Sequence, residues 1–309
     1  MKERLNGQNL LSLADLNAGE LQQLLQLAQE MKKGFQAKSA QNQVLGLLFY
    51  KASTRTRVSF SVAMYQLGGQ VIDLNPQATQ LGRGEPIQDT ARVLAGYLDA
   101  IAIRTFAQSE LEQFAEYADI PVINALSDLE HPCQVLADLL TIQETFGTLD
   151  GLTLTYLGDG NNVAHSLLLG CALAGVNIRV ATPREYQPKP AVVEQAQALA
   201  LSGTEIAVAN DPETAVKGGQ VLYTDVWASM GQEDAAEQRF PVFQPYQVNE
   251  QLLNLATPEA IVLHCLPAHR GEEITEAVLE SARSRVWQQA TNRMHAQKAL
   301  LASILGLLD

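Results

Sequence analysis

Short apolar runs alternate with amphipathic stretches along most of the chain, a repeating rhythm of strand, loop and helix. A capped amphipathic helix is predicted to follow Ser12 and run to about Lys33. Val44 to Tyr50 reads as a buried strand, Ser53 to about Gly68 as a helix and Gln70 to Leu74 as the next strand, which together make one βαβ unit. Helices are predicted over Pro86–Leu98, Leu111–Ala118 and His131–Phe146, and strands over Ala100–Arg104 and Pro121–Asn124. Phe146 to Gly151 reads as a hinge. A second series follows, with strands Leu152–Leu157, Asn177–Ala181, Glu205–Ala209, Val221–Thr224 and Ile261–His264, and helices Asn162–Ala174 and Ala191–Leu201. The expected fold class is α/β, with two domains, 1–147 and 148–289, each a parallel sheet flanked by helices. The final helix, 290–309, is expected to pack back on the first domain, and the active site to lie in the interdomain cleft.

Composition narrows the function classes. At roughly 150 residues per domain, 309 residues agree with two domains. Hydrophobic residues at 47% and charged residues at 18% describe a chain that folds. Lys plus Arg is 21 against 34 Asp plus Glu, a net charge of −13, which argues against nucleic-acid or anionic-membrane partners. It leaves room for a small-anion pocket built from a few arginines. Cys133, Cys171 and Cys265 are too few and scattered for a disulfide framework or a structural zinc site. The opening residues lack a continuous apolar run and no apolar span reaches membrane length, so a cytoplasmic protein with reduced thiols is expected.

Ligands in open α/β sheets bind beyond the carboxyl ends of strands, and the unusual polar residues fall there. Ser53-Thr54-Arg55-Thr56-Arg57 joins a strand to a helix start, where free backbone N–H groups, hydroxyls and guanidinium forks suit a phosphate. Arg104 ends an apolar strand and calls for an anionic partner, either a structural carboxylate or a shared ligand. His131-Pro132-Cys133-Gln134 opens a helix, as a cap or as donors to a carbonyl oxygen. Gly158-Asp159-Gly160-Asn161-Asn162 resembles the start of a dinucleotide fingerprint, but Val163 and the acid-free Ala181-Thr182-Pro183 depart from it. The two Asn read equally as an Asx turn or as polar ligands for a zwitterion. Asp225 ends a strand and suits an ammonium group. Cys265 ends another and is either a buried structural thiol or a reactive one. His264 and Cys265, adjacent on that strand, are expected to point to opposite faces.

Ser53 to Arg57, His131-Pro132-Cys133-Gln134, Asp225 through Ser229-Met230-Gly231, and His264-Cys265-Leu266-Pro267 resemble, in order and spacing, the signatures of the carbamoyltransferase family. The Ser-Met-Gly and His-Cys-Leu-Pro strings resemble its ornithine branch. The resemblance implies an N-terminal carbamoyl-phosphate domain, a C-terminal ornithine domain and a homotrimer, or a higher assembly of trimers. The implied activity is transfer of a carbamoyl group to L-ornithine, giving citrulline in arginine biosynthesis, with no metal or organic cofactor. It assigns carbamoyl phosphate to Ser53, Thr54, Arg55, Thr56, Arg104, His131, Gln134, Cys265, Leu266 and Arg293. Gln80 is implied to reach the carbamoyl-phosphate site of an adjacent subunit. Ornithine falls to Asn162, Asp225, Ser229 and Met230. Asp225, Cys265, Arg57, Arg104 and His131 are the implied catalytic groups. The rival readings are carbamoyl transfer to aspartate, putrescine or an acylated ornithine, a nicotinamide oxidoreductase, and a two-lobed amino-acid-binding module.

Overall fold

A computed structural model describes residues 5–228 and 236–308. The chain divides into two compact units, one of residues 1–137 and 292–309, the other of residues 138–291. The division points fall inside the helices Pro132–Phe146 and Val286–Ile304. Each unit is a parallel sheet with helices on its connections.

The first unit holds β1 (Val44–Phe49), β2 (Gln70–Leu74), β3 (Ala100–Arg104) and β4 (Val122–Leu126), in the order β2-β1-β3-β4. Every pairing is parallel. β1, β3 and β4 are almost wholly buried and predominantly apolar, as strands covered on both faces must be, with Asn124 the buried polar exception in β4. β2, exposed or half-buried along its whole length, is the edge. Leu48, Ile101 and Ile103 pack with Leu111 and Phe114 of the helix Gln108–Tyr117.

The second unit holds β5 (Thr153–Leu157), β6 (Asn177–Ala181), β7 (Ile206–Ala209), β8 (Val221–Thr224) and β9 (Ile261–His264), in the order β7-β6-β5-β8-β9, again all parallel. Leu157, Leu222 and Val262 pack with Val248, Leu252, Ile274 and Val278. In each sheet the chain runs outward in one direction and then returns to extend the other side. The reversal lies between β1 and β3 in one sheet and between β5 and β8 in the other. A crevice opens at such a point because the neighbouring connections leave on opposite faces.

Among the described residues, no helix is long and apolar enough to cross a membrane. The cysteines are free thiols. Burial pushes the Cys133 thiol up to about 12 and raises that of Cys171 further, so neither forms a thiolate near neutral pH.

Candidate active site

In the first unit the ends of β1, β3 and β4 lie side by side, which brings three distant segments to one edge. β1 leads through Ser53, the N-cap, into the helix Thr54–Gln66. The Ser53 side chain makes no cap bond there; its Oγ instead accepts from Arg104 Nη1 at 3.2 Å. Thr56 is buried, and its Oγ1 accepts from Arg293 Nη2 at 2.5 Å. His131, Gln134 and Arg293 are also buried, and Arg104 is half-buried. His131 is held well below the usual histidine range, first by burial and then by the guanidinium groups of Arg293 and Arg104. It is therefore neutral near pH 7 and offers one ring N–H.

The other expected residues of this unit stand apart. Thr54, Arg55 and Gln80 are exposed. Arg57 pairs with Asp73 on β2 and lies over the Phe49 ring, 5.3 Å from its centroid. Among the described residues, the contacts of the Arg57 side chain lead to Asp73 and Phe49, away from Thr56 and Arg104. The two guanidinium groups beside His131 are Arg104, from the end of β3, and Arg293, from the helix Val286–Ile304.

In the second unit β5, β8 and β9 are neighbours, and their ends carry Asn161, Asp225 and Cys265. Asn161 caps the helix Asn162–Ala174, its Oδ1 accepting from the N–H groups of Val163 and Ala164. The same side chain donates from Nδ2 to Asp225 Oδ2 at 2.8 Å. Cys265 Sγ donates to Asp225 Oδ1 at 2.9 Å. Asp225 is buried, while Asn162 and Cys265 are half-buried. The turn reading of the Asn pair holds for Asn161, and Asn162 is the first residue of the helix it caps. Ser229 and Met230 lie outside the described residues.

The expected opposition of His264 and Cys265 is corrected by the structure. One donor atom from each, with one from Asp225, lie within 4.8 Å of one another. Strand alternation ends with β9 at His264, and the chain then turns through Leu266 at φ +60°. That left-handed conformation is strained for a branched side chain, by about 1–3 kcal/mol. It is held by the Leu266 N–H, which donates to His264 Nδ1 at 2.9 Å. Nδ1 is therefore the acceptor, and Nε2 carries the proton that faces Glu273 Oε1, also at 2.9 Å. The spacing of Asp225, His264 and Cys265 would admit a thiophilic divalent ion, but these groups are engaged with one another and with Asn161, Leu266 and Glu273.

His264 and Glu273 were not read from the sequence as members of this cluster. Asn161 was visible in the Asn-Asn pair. Glu273, in a Gly-Glu-Glu string, reads as a solvated charge, and only the fold buries it against His264. The Gly-x-Gly turn also has a local cause: a Cβ on Gly160 would stand 2.3 Å from Pro188 N and 2.6 Å from Tyr186 O. Close passage of residues 186–188, rather than a pyrophosphate, accounts for that glycine.

Residues 8–144 match the family model described as the aspartate/ornithine carbamoyltransferase carbamoyl-P binding domain. Residues 150–304 match its Asp/Orn binding domain. An ornithine carbamoyltransferase of Nostoc sp. is 72% identical over 300 residues, covering 97% of this chain and 98% of that protein. The crystal structure of ornithine carbamoyltransferase from Gloeobacter violaceus superposes with a TM-score of 0.89 at 58% identity, over 96% of this chain and 98% of that one. The ornithine carbamoyltransferase from Pyrococcus furiosus gives 0.94 at 49% identity, over 99% of both chains.

Proposed function

The chain belongs to the aspartate/ornithine carbamoyltransferase family, and from that premise we propose that it transfers the carbamoyl group of carbamoyl phosphate to the side-chain amine of L-ornithine, giving L-citrulline and phosphate. The observation that carries the choice of ornithine is the Asp225 carboxylate, held by Cys265 Sγ at 2.9 Å and Asn161 Nδ2 at 2.8 Å. An anionic, thiol-bearing corner suits a side-chain ammonium and repels the second carboxylate of aspartate.

The first unit supplies the anion chemistry. Backbone N–H groups at the start of the helix Thr54–Gln66, with Ser53, Thr54, Arg55 and Thr56, cradle the phosphate. Arg104 and Arg293 add bidentate forks. Neutral His131 and Gln134 donate to the carbamoyl oxygen. Gln80, exposed on its 3-10 turn, serves a neighbouring subunit's site. Arg57, engaged by Asp73, supports the helix from outside the anion cradle.

The second unit supplies the nucleophile. Asn162, Asp225, Ser229 and Met230 hold ornithine, and Cys265 and Leu266 close over the reacting groups. The ammonium loses a proton toward the Asp225 and Cys265 pair, since only the free amine has a lone pair to attack. The new C–N bond forms as negative charge gathers on the carbonyl oxygen, where Thr56, Arg104 and His131 stabilise it. The nitrogen's second proton passes to the leaving phosphate as the bond from carbon to phosphate oxygen breaks, and the arginines stabilise the departing anion.

The homotrimer finds support in the helix Thr54–Gln66, where Val58, Val62 and Tyr65 form an i, i+4, i+7 stripe that is 54%, 38% and 79% exposed. A cytoplasmic place in arginine biosynthesis fits these substrates. The test is citrulline formation from carbamoyl phosphate, with ornithine, aspartate and putrescine assayed in parallel. Product from ornithine alone is the expected result, and equal or better turnover of aspartate or putrescine would overturn the assignment.

A further inference from the structure

Arg104 is the last residue of β3, and His131 immediately precedes the helix Pro132–Phe146. The loops after β3 and β4 therefore deliver these two groups. Main chain ties the loops together. The Thr105 N–H donates to the Leu126 carbonyl at 3.0 Å, and the Asp128 N–H to that of Phe106 at 2.9 Å. Side chains add two ties at Gln108, the first residue of the helix Gln108–Tyr117. Its N–H donates to Asp128 Oδ1 at 2.9 Å, and Ser127 Oγ donates to its Oε1 at 2.7 Å.

Ser127 also shapes the chain on the way to His131. Its Oγ accepts from the N–H groups of Leu129 at 3.3 Å and Glu130 at 3.1 Å, and its own N–H donates to the Glu130 carbonyl at 2.9 Å. Local bonds of this kind fix a turn and the direction in which the chain leaves it. Ser127 and Glu130 are both buried, so an N–H that loses this acceptor lies where solvent does not replace it. In the sequence, Ser-Asp-Leu-Glu reads as a plain polar turn.

We propose that Ser127 is a positioning residue for His131: by closing the turn 127–130 and tying it to Gln108 on the β3 side, it holds the imidazole in register with Arg104 at the carbamoyl oxygen without touching substrate. This rests on the function proposed above. A donor aimed at a reacting oxygen has to stand within about 0.5 Å of the productive geometry, so placement of the ring counts as much as its presence.

The experiment is steady-state citrulline synthesis by wild type, Ser127→Ala, His131→Gln and the double variant, with inorganic phosphate titrated as an inhibitor against carbamoyl phosphate. Phosphate has the anion but lacks the carbamoyl oxygen. In Ser127→Ala, kcat/KM for carbamoyl phosphate is expected to fall at least about tenfold, as misplacement of a catalytic donor implies. The inhibition constant of phosphate should stay within about twofold of wild type. The double variant should match His131→Gln within about twofold, since Ser127 acts through that ring. An unchanged kcat/KM, equal weakening of phosphate and carbamoyl phosphate, or losses that multiply in the double variant would overturn the proposal. Should Ser127→Ala fail to fold, Gln108→Met decides: it removes the acceptor of the Ser127 hydroxyl from a half-buried position and is expected to give the same split between the two anions. Wild type that makes no citrulline defeats the proposed function, whereas active wild type with unmoved variants defeats the positioning role alone.

Discussion

Burial and two flanking guanidinium groups keep His131 neutral at a pH where a free histidine is half protonated. Its pKa is lowered in the folded state, so the unfolded chain binds the extra proton first. Stability from this group is complete above about pH 6.5 and is lost as pH falls from there toward the depressed folded value. The slope is at most about 1.4 kcal/mol per pH unit. Urea midpoints at pH 7 and pH 5 should therefore separate more in wild type than in His131→Gln; equal separation would contradict a neutral buried imidazole. Asp225 leads to a different test. Asp225→Asn should weaken ornithine binding at least tenfold in calorimetry while carbamoyl-phosphate affinity stays nearly unchanged, because among the described residues its side-chain hydrogen bonds go to Asn161 and Cys265 of the second unit. Equal losses would count against the split of substrates. Much of this was legible in the sequence, since charged or hydroxyl residues closing apolar strands have few structural uses. What was not legible was direction: nothing in Ser-Thr-Arg-Thr-Arg says that Arg57 turns to Asp73 while Arg293, some 240 residues on, reaches Thr56.

Strands and their connections explain why these residues meet at all. Most of the described strands are largely apolar, and the sequence located Gln70–Leu74, Ala100–Arg104, Asn177–Ala181, Val221–Thr224 and Ile261–His264 at their observed bounds. The helix Ala236–Phe243 escaped notice because it is short and contains Pro241, which reads as a breaker. Strand order was also hidden: the sequence cannot tell that β8 lies beside β5, because that follows from how the helices cover the sheet. The turn after β5 carries a sharp steric requirement. Gly160→Ala should cost about 1–3 kcal/mol, since the new Cβ meets only backbone atoms of residues 186–188 that have little room to give. A urea denaturation curve indistinguishable from wild type would show that the chain crossing there is loose.

At the scale of the whole molecule, the proposed homotrimer would bury the apolar stripe on the helix Thr54–Gln66, which also begins the proposed anion cradle, and so would tie assembly to catalysis. Replacing Val62 and Tyr65 by Lys and Glu should lower the sedimentation mass from trimer to monomer and reduce activity with it, given the part proposed for Gln80 across subunits. An unchanged trimer would move the contact elsewhere. The central proposal is more basic: half-buried Arg104 and buried Arg293, from separate segments of the first unit, converge on one doubly charged substrate. Titrating carbamoyl phosphate into wild type and Arg104→Ala in a calorimeter tests it most directly. Affinity about tenfold to a hundredfold weaker in the variant, with the fold intact, is the expected result; undiminished affinity would contradict it.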